Sequence, residues 1–190
     1  YYYDYIRNLI PVYFGEDMLI YKNKNYMQRA FLVPEVKVEN DGEKVIKDLF
    51  SDTFDPHRYA IVETKEDNIY SFPPSDPVLL KESLVTVEGY KNNSVSLKAE
   101  MKDQGFLVLA DNYYPGWKVF VNGKEQPLYK TNYAVRGVHI EKGKHLIKFV
   151  YDPLSFKIGM YLSLSTLFGI MAYFIWYLFP EKILIENTLQ

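Results

Sequence analysis

The stretch FLVLADNYYPGWKVFVNG, residues 106–123, decides the fold. Phe106 to Ala110 is continuously apolar, the pattern of a strand covered on both faces. Trp117, Val119 and Val121 then fall on one face of a second strand, with Lys118 between them. Asn122-Gly123 follows, a strong signal for a two-residue type I′ hairpin, because that turn needs positive φ at both central positions. Between the two strands, Pro115-Gly116 suits the centre of a type II turn.

Working outward, Leu84 to Gly89 reads as a strand, and Val95, Leu97, Ala99 and Met101 alternate along the next. Lys124 to Tyr129 is expected to return from the hairpin as one strand, with Pro127 marking an edge. Ala134 to Ile140 and His145 to Tyr151 are expected to form a second hairpin around Glu141-Lys142-Gly143-Lys144. About six strands at this spacing predict a mainly β chain, an antiparallel β-sandwich of the jelly-roll or Ig-like kind over residues 78–157.

The preceding segment, residues 1–77, is expected to be a small α+β part. Met18 to Tyr21, Ala30 to Val38 and Tyr59 to Val62 look extended, while Asp41-Gly42 opens a helical pattern with Val45, Ile46, Leu49 and Phe50 on its apolar positions. Three prolines in Phe72 to Pro77 mark a linker or crossing loop. The chain begins Tyr1-Tyr2-Tyr3-Asp4 with no initiator Met, and so reads as a piece of a longer one.

Residues 158–179 are about 22 residues without a charge, roughly the length a helix needs to cross ~30 Å of hydrocarbon. A buried core helix is the alternative, but such helices usually keep a polar stripe, and here every face is apolar. One C-terminal transmembrane helix is therefore expected, with the lipid bilayer as its partner. Lys157 precedes it; Pro180, Glu181 and Lys182 close it. Tyr161, Tyr173, Trp176 and Tyr177 include candidates for the interfacial aromatic belt.

Composition narrows the chemistry. A net charge of -2 with no basic block offers no electrostatic footprint for nucleic acid. The chain has no cysteine, so disulfides and thiolate metal sites are excluded. Its three histidines, His57, His139 and His145, lack metal-ligand spacing, so no metal and no cofactor are expected, and strand or surface roles are preferred for them. Asp52 with Asp55, or Glu63 with Glu66, could be imagined as acid/base pairs, but catalytic pairs are defined by separation in space, and no catalytic residue is assigned. Asn92-Asn93-Ser94 matches a glycosylation acceptor, a short motif that carries no assignment by itself.

The best binding candidate is Asp111-Asn112-Tyr113-Tyr114-Pro115-Gly116-Trp117. It places three aromatic rings and two short polar side chains on one turn, a chemistry that stacks on sugar C–H faces and bonds hydroxyls. A structural role is the stronger reading: Asp111 would cap the turn and Trp117 would be the core aromatic. Arg136 shares a strand face with Ala134 and Val138; it could meet a carboxylate or a lipid-linked phosphate, or pair with a cross-strand acid or lie over a ring.

The order of these features resembles the C-terminal region of the YfhO-type family of bacterial membrane proteins. The likeness rests on Tyr114 to Trp117, Asn122-Gly123, Asn132-Tyr133-Ala134-Val135-Arg136, Gly143 with His145, and Tyr151-Asp152-Pro153 followed by Phe156 and Gly159. Upstream, Tyr21 to Val33 and Phe54 to Glu63 resemble that family too. The resemblance implies a multi-pass GT-C-like glycosyltransferase that takes sugar from a polyprenyl-phosphate carrier for teichoic-acid-type glycosylation of the cell envelope. It further implies that the catalytic carboxylate lies upstream, that residues 1–157 are extracytoplasmic beside upstream membrane helices of the parent chain, and that residues 180–190 form a short cytoplasmic tail. Asp111, Asn112, Tyr113, Tyr114, Trp117 and Arg136 would then face an envelope glycan or the polyprenyl-phosphate sugar. The alternative is a non-catalytic, membrane-anchored carbohydrate-binding or envelope interaction domain.

Overall fold

The computed structural model of the chain describes residues 9–64 and 74–178. Phe72, Pro73, Glu66, Phe179 and the 180–190 tail with its flanking charges lie outside them. In chain order, β1 (Leu9–Phe14) and β2 (Leu19–Asn23) pair with each other; β3 (Ala30–Val33), β4 (Glu35–Val38), α1 (Gly42–Leu49) and β5 (Tyr59–Glu63) follow. The short α2 (Pro77–Lys81) leads to β6 (Leu84–Lys91), β7 (Ser94–Met101), β8 (Gly105–Asn112) and β9 (Trp117–Val121). Then come β10 (Lys124–Gln126), β11 (Tyr129–Thr131), β12 (Val135–Ile140), β13 (Gly143–Tyr151) and α3 (Leu154–Leu178).

The strands make a β-sandwich. A five-stranded sheet runs β10-β9-β13-β7-β6 and a six-stranded sheet runs β3-β8-β12-β11-β5-β4. Every pairing is antiparallel except β4 with β5. Three strands that precede residue 77 are thus hydrogen-bonded into the sheet that holds β8, β11 and β12.

The apolar run in β8 has a specific cause. Leu107 and Leu109 point between the sheets and pack with Leu97, Val119, Val138 and Phe149. Phe106 and Val108 point the opposite way, into a second core with Val33, Ala60, Val62 and Tyr129. Alternating side chains therefore feed two cores, and each fully buried side chain contributes about 1.5–3 kcal/mol. The second core exists because the six-stranded sheet curls. Its two edges, β3 and β4, are halves of one segment bent at Pro34. The single strand expected from Ala30 to Val38 is thereby corrected to two, since a proline has no N–H to give the ladder.

Two further expectations change. Lys124 to Tyr129 is not one strand: β10 ends at Gln126 on the edge of one sheet, and Pro127-Leu128 carries the chain across to β11 in the other. Nor do β12 and β13 form a hairpin. β12 pairs with β8 and β11, and β13 with β7 and β9, so Glu141-Lys142 is a corner between layers. The reason is burial, because Val138 and Ile140 meet Ile147 and Phe149 face to face only if the two strands lie in opposite sheets.

The proline stretch is anchored where it is described. Ser75 N donates to Pro34 O at 3.0 Å, and Asp76 caps α2 by accepting from Val78 N at 2.8 Å. In α1, Asp41 is the N-cap and Val45 is buried, while Phe50 lies past the last turn and is exposed. Asn122 and Gly123 have φ of 52° and 81°, as a type I′ turn requires.

Gly137 lies under the Phe106 ring in the second core; an added Cβ would overlap that ring and the Thr131 hydroxyl. Gly137→Ala is expected to destabilise the domain by about 1–3 kcal/mol. Gly89→Ala, whose Cβ would sit 3.9 Å from the nearest neighbour, should stay within about 0.5 kcal/mol. Thermal melts followed by circular dichroism compare the two.

Candidate functional site

The turn between β8 and β9 is built as its sequence demands. Trp117 N donates to Tyr114 O at 3.3 Å, closing a four-residue turn with Gly116 at φ +103°, a conformation that favours glycine. The turn is also clamped to the exit of the sheet. Asp152 N donates to Gly116 O at 2.8 Å, and a Cβ on Gly116 would come within 2.8 Å of the Pro153 ring. The turn therefore sits at the end of the sandwich where the chain enters α3. Around it, the Tyr151 ring centroid is 5.4 Å from that of Trp117 and 6.4 Å from that of Tyr114.

The six candidate residues divide into two groups. Asp111 (7% exposed) and Arg136 (3%) are buried, and Trp117 packs against the main core. Asn112 and Tyr114 face outward, and Tyr113 is half-buried with its N–H donated to Ala134 O at 2.7 Å.

Asp111 continues the inward row of Leu107 and Leu109, and a charge in that row needs partners. It has three. Arg29 Nε donates to Oδ1 at 2.8 Å, Arg136 Nη2 lies 3.3 Å from Oδ2, and Tyr90 Oη donates to Oδ2 at 3.3 Å. Arg29 also donates to Tyr90 Oη at 2.7 Å. The Arg136 guanidinium lies over Trp117, 3.8 Å from the ring centroid, and 5.9 Å from that of Phe149. Its buried Nη1 has no hydrogen-bond partner. Burial pushes the Arg136 guanidinium below the ordinary arginine value, opposed by the charge of Asp111; the hydrogen bond to Asp111 raises that of Arg29. With its carboxylate held by two guanidinium groups, Asp111 has the environment of a structural anchor, and the exposed ring of Tyr114 and amide of Asn112 are the groups that remain open to a ligand.

Arg29 and Tyr90 escaped the sequence reading. Eighty-two positions separate Arg29 from Asp111, and no local pattern connects a residue just before a strand to the far end of another.

The other candidates lie apart. Asp55 accepts from His57 N at 2.9 Å in a local turn, and Glu63 pairs with Lys130 at 3.0 Å. His57 is exposed and remote from His139 and His145 in the fold. Among the described residues, no three His, Asp or Glu side chains are grouped to hold a metal.

Beyond Pro153, α3 runs for 25 residues with no side chain buried. Among the described residues it is the one helix long and apolar enough to cross a bilayer. A family model described as bacterial membrane protein YfhO matches residues 78–163, which take in β6 to β13 and the first turns of α3. Residues 78–163 are a YfhO-type membrane protein region. A Bacillus subtilis (strain 168) protein described as uncharacterized protein YfhO is 31% identical to this chain over 78 residues, 41% of its length. Those residues span only 9% of that relative's length. No solved structure matches the chain. The YfhO-type region holds Asp111, Trp117, Arg136 and Tyr90; Arg29 reaches it from outside.

Removing one member of a buried pair leaves the other charge uncompensated, so Asp111→Ala is expected to cost about 3–5 kcal/mol. The exposed Tyr114→Ala should change stability by no more than about 0.5 kcal/mol. His139 supplies a pH dependence: burial lowers its folded-state value, so below its ordinary value near 6.5 the unfolded chain binds more protons. Stability should therefore fall as pH drops through that range, and His139→Gln should flatten the slope in a series of melts.

Proposed function

We propose that this chain is the C-terminal extracytoplasmic domain and last membrane helix of a multi-pass, GT-C-like glycosyltransferase. Its parent would use a polyprenyl-phosphate-linked sugar to glycosylate cell-envelope polymers of the teichoic-acid type. The observation that carries this reading is the junction. Only Asp152-Pro153 separates β13 from α3, Gly116 is seated on Pro153, and Lys157 pairs with Asp152 at 2.7 Å. Such a short, braced connection supports a sandwich held at the bilayer surface rather than swinging on a linker. The apolar surface of α3, with no partner among the described residues, fits packing against upstream helices of the parent.

On this reading the domain is accessory. The charges at its membrane end are spent on one another, and Asn112, Tyr113 and Tyr114 form the rim that would meet a carrier-linked sugar or an envelope glycan. Trp117, Asp111 and Arg136 would position that rim. Exposure of Tyr114 beside Asn112 also favours the second reading, a non-catalytic carbohydrate-binding or envelope interaction domain.

Sidedness is tested with a cysteine at Lys142, at the sandwich end far from α3, in a parent stripped of other cysteines. A membrane-impermeant maleimide should label it in intact cells; labelling only after lysis would overturn the proposal. Replacing Tyr113 and Tyr114 together by Ala should lower glycosylation of the envelope polymer by roughly tenfold, a loss near 1.4 kcal/mol in transition-state stabilisation. An unchanged product level with a lowered melting temperature would remove the sugar-facing role of the turn.

A further inference from the structure

The other end of the sandwich carries a cleft of about 580 Å³. It opens where the β9–β10 hairpin, the crossing at Pro127 and the end of β12 meet. From His145 to Tyr151, β13 advances six residues at ~3.3 Å each, so the cleft stands roughly 20 Å from the start of α3.

Its wall is fixed on one side. Asn122 Oδ1 accepts from Leu146 N at 2.9 Å, and Asn122 Nδ2 lies 3.1 Å from His145 Nδ1. His145 Nε2 lies 2.9 Å from Glu141 O. A carbonyl only accepts, so Nε2 donates to it, and the contact with the Asn122 amide fixes the other side of the ring; the imidazole is held in one orientation. On the other side the polar groups make no direct bonds, although the charge of Glu141 reaches His139. Lys124, Gln126 and Glu141 line the cleft, and none makes an ion pair or a side-chain hydrogen bond with the described residues. Val121, Val138 and Pro127 supply an apolar floor.

We infer that this cleft binds a neutral saccharide. One ammonium, one carboxylate and one amide leave no net charge with the imidazoles neutral, so the cleft has no reason to select an anion or a cation. They do present donors and acceptors in alternation, which is what hydroxyls, able to do both, can satisfy together. The floor suits the C–H face of a sugar ring, and the size fits one or two rings. Its distance from the bilayer assigns it to a glycan standing off the membrane and separates it from the turn at Tyr114. The inference stands on the cleft and does not need the parent to be a transferase.

The three histidines give the readout. With the full chain in a detergent that has no sugar headgroup, maltose, cellobiose and chitobiose are titrated while the imidazole resonances are followed by NMR. At least one should shift His139 and His145 saturably, in the millimolar range, with His57 unmoved. The double variant Gln126→Ala, Glu141→Gln removes no internal bond and should keep the melting temperature while weakening binding by roughly tenfold. No saturable shift with any disaccharide, shifts that move His57 equally, undiminished binding in the double variant, or a response to inorganic phosphate or glucuronate alone would each overturn the inference. Labelling at Lys142 reports sidedness separately, so a failure here is distinct from a failure of the proposed parent activity.

Discussion

The structure depends on one strand being covered on both faces. β8 sends Leu107 and Leu109 to the core between the sheets, and Phe106 and Val108 to the core inside the curl of the six-stranded sheet. Neither core could form alone from what surrounds it. The curled one needs the chain bent at Pro34, so that one segment supplies both edges of its sheet, and it needs Gly137 to make room for the Phe106 ring. A slip of one residue in β8 would exchange the two sets of side chains and put a phenylalanine where a leucine fits. The bulge where Val135 pairs with Asn112 and Arg136 with Leu109 absorbs the register change at the strand's end, and both cores keep their match below it.

At that end the inward row continues to Asp111, and the chemistry changes. A carboxylate in line with Leu107 and Leu109 would be costly without cations, and the fold supplies one from β12 and one from the segment before β3. A buried pair of this kind is weak as a source of net stability, since hydrophobic side chains of the same volume often do as well. Its geometry is more informative. Arg136 is pinned between Asp111 and Trp117, Trp117 begins β9, and the turn before it is locked on Pro153. The pair thus ties the sheet interior to the start of α3 through Arg136, Trp117 and the Gly116 turn.

What was legible in the sequence followed from local periodicity. The alternation in β7, the apolar run of β8, the Asn122-Gly123 turn and the length of α3 each show within a window of a few residues. What was not legible was the layer each strand joins. Gln126 and Tyr129 are three residues apart yet belong to different sheets, and Ile140 and Gly143 likewise, because layer assignment is settled by which cores need filling. A proline marks one of these changes of layer, at Pro127, and another, Pro34, marks the bend that sends the chain from one edge of the six-stranded sheet to the other. The candidate site was half legible for the same reason. Composition drew notice to Asp111, Trp117 and Arg136, whereas the network also needs Arg29 and Tyr90, which reach Asp111 from across the fold.

The two ends of the sandwich now have different physical characters, and the difference follows from α3. At the end that leads into α3, the buried charges close on one another, and the exposed Tyr114 ring stands beside Tyr151. At the opposite end, polar side chains stay open to water without cost, and Lys124, Gln126 and Glu141 do so around a cleft. Unpaired polar groups gathered over an apolar floor are more than solubility requires, because solubility is served equally well by the same side chains scattered over the sheet. Their gathering is what a recognition surface needs, and its place at the end of β13 far from α3 suits a partner that reaches the domain through water.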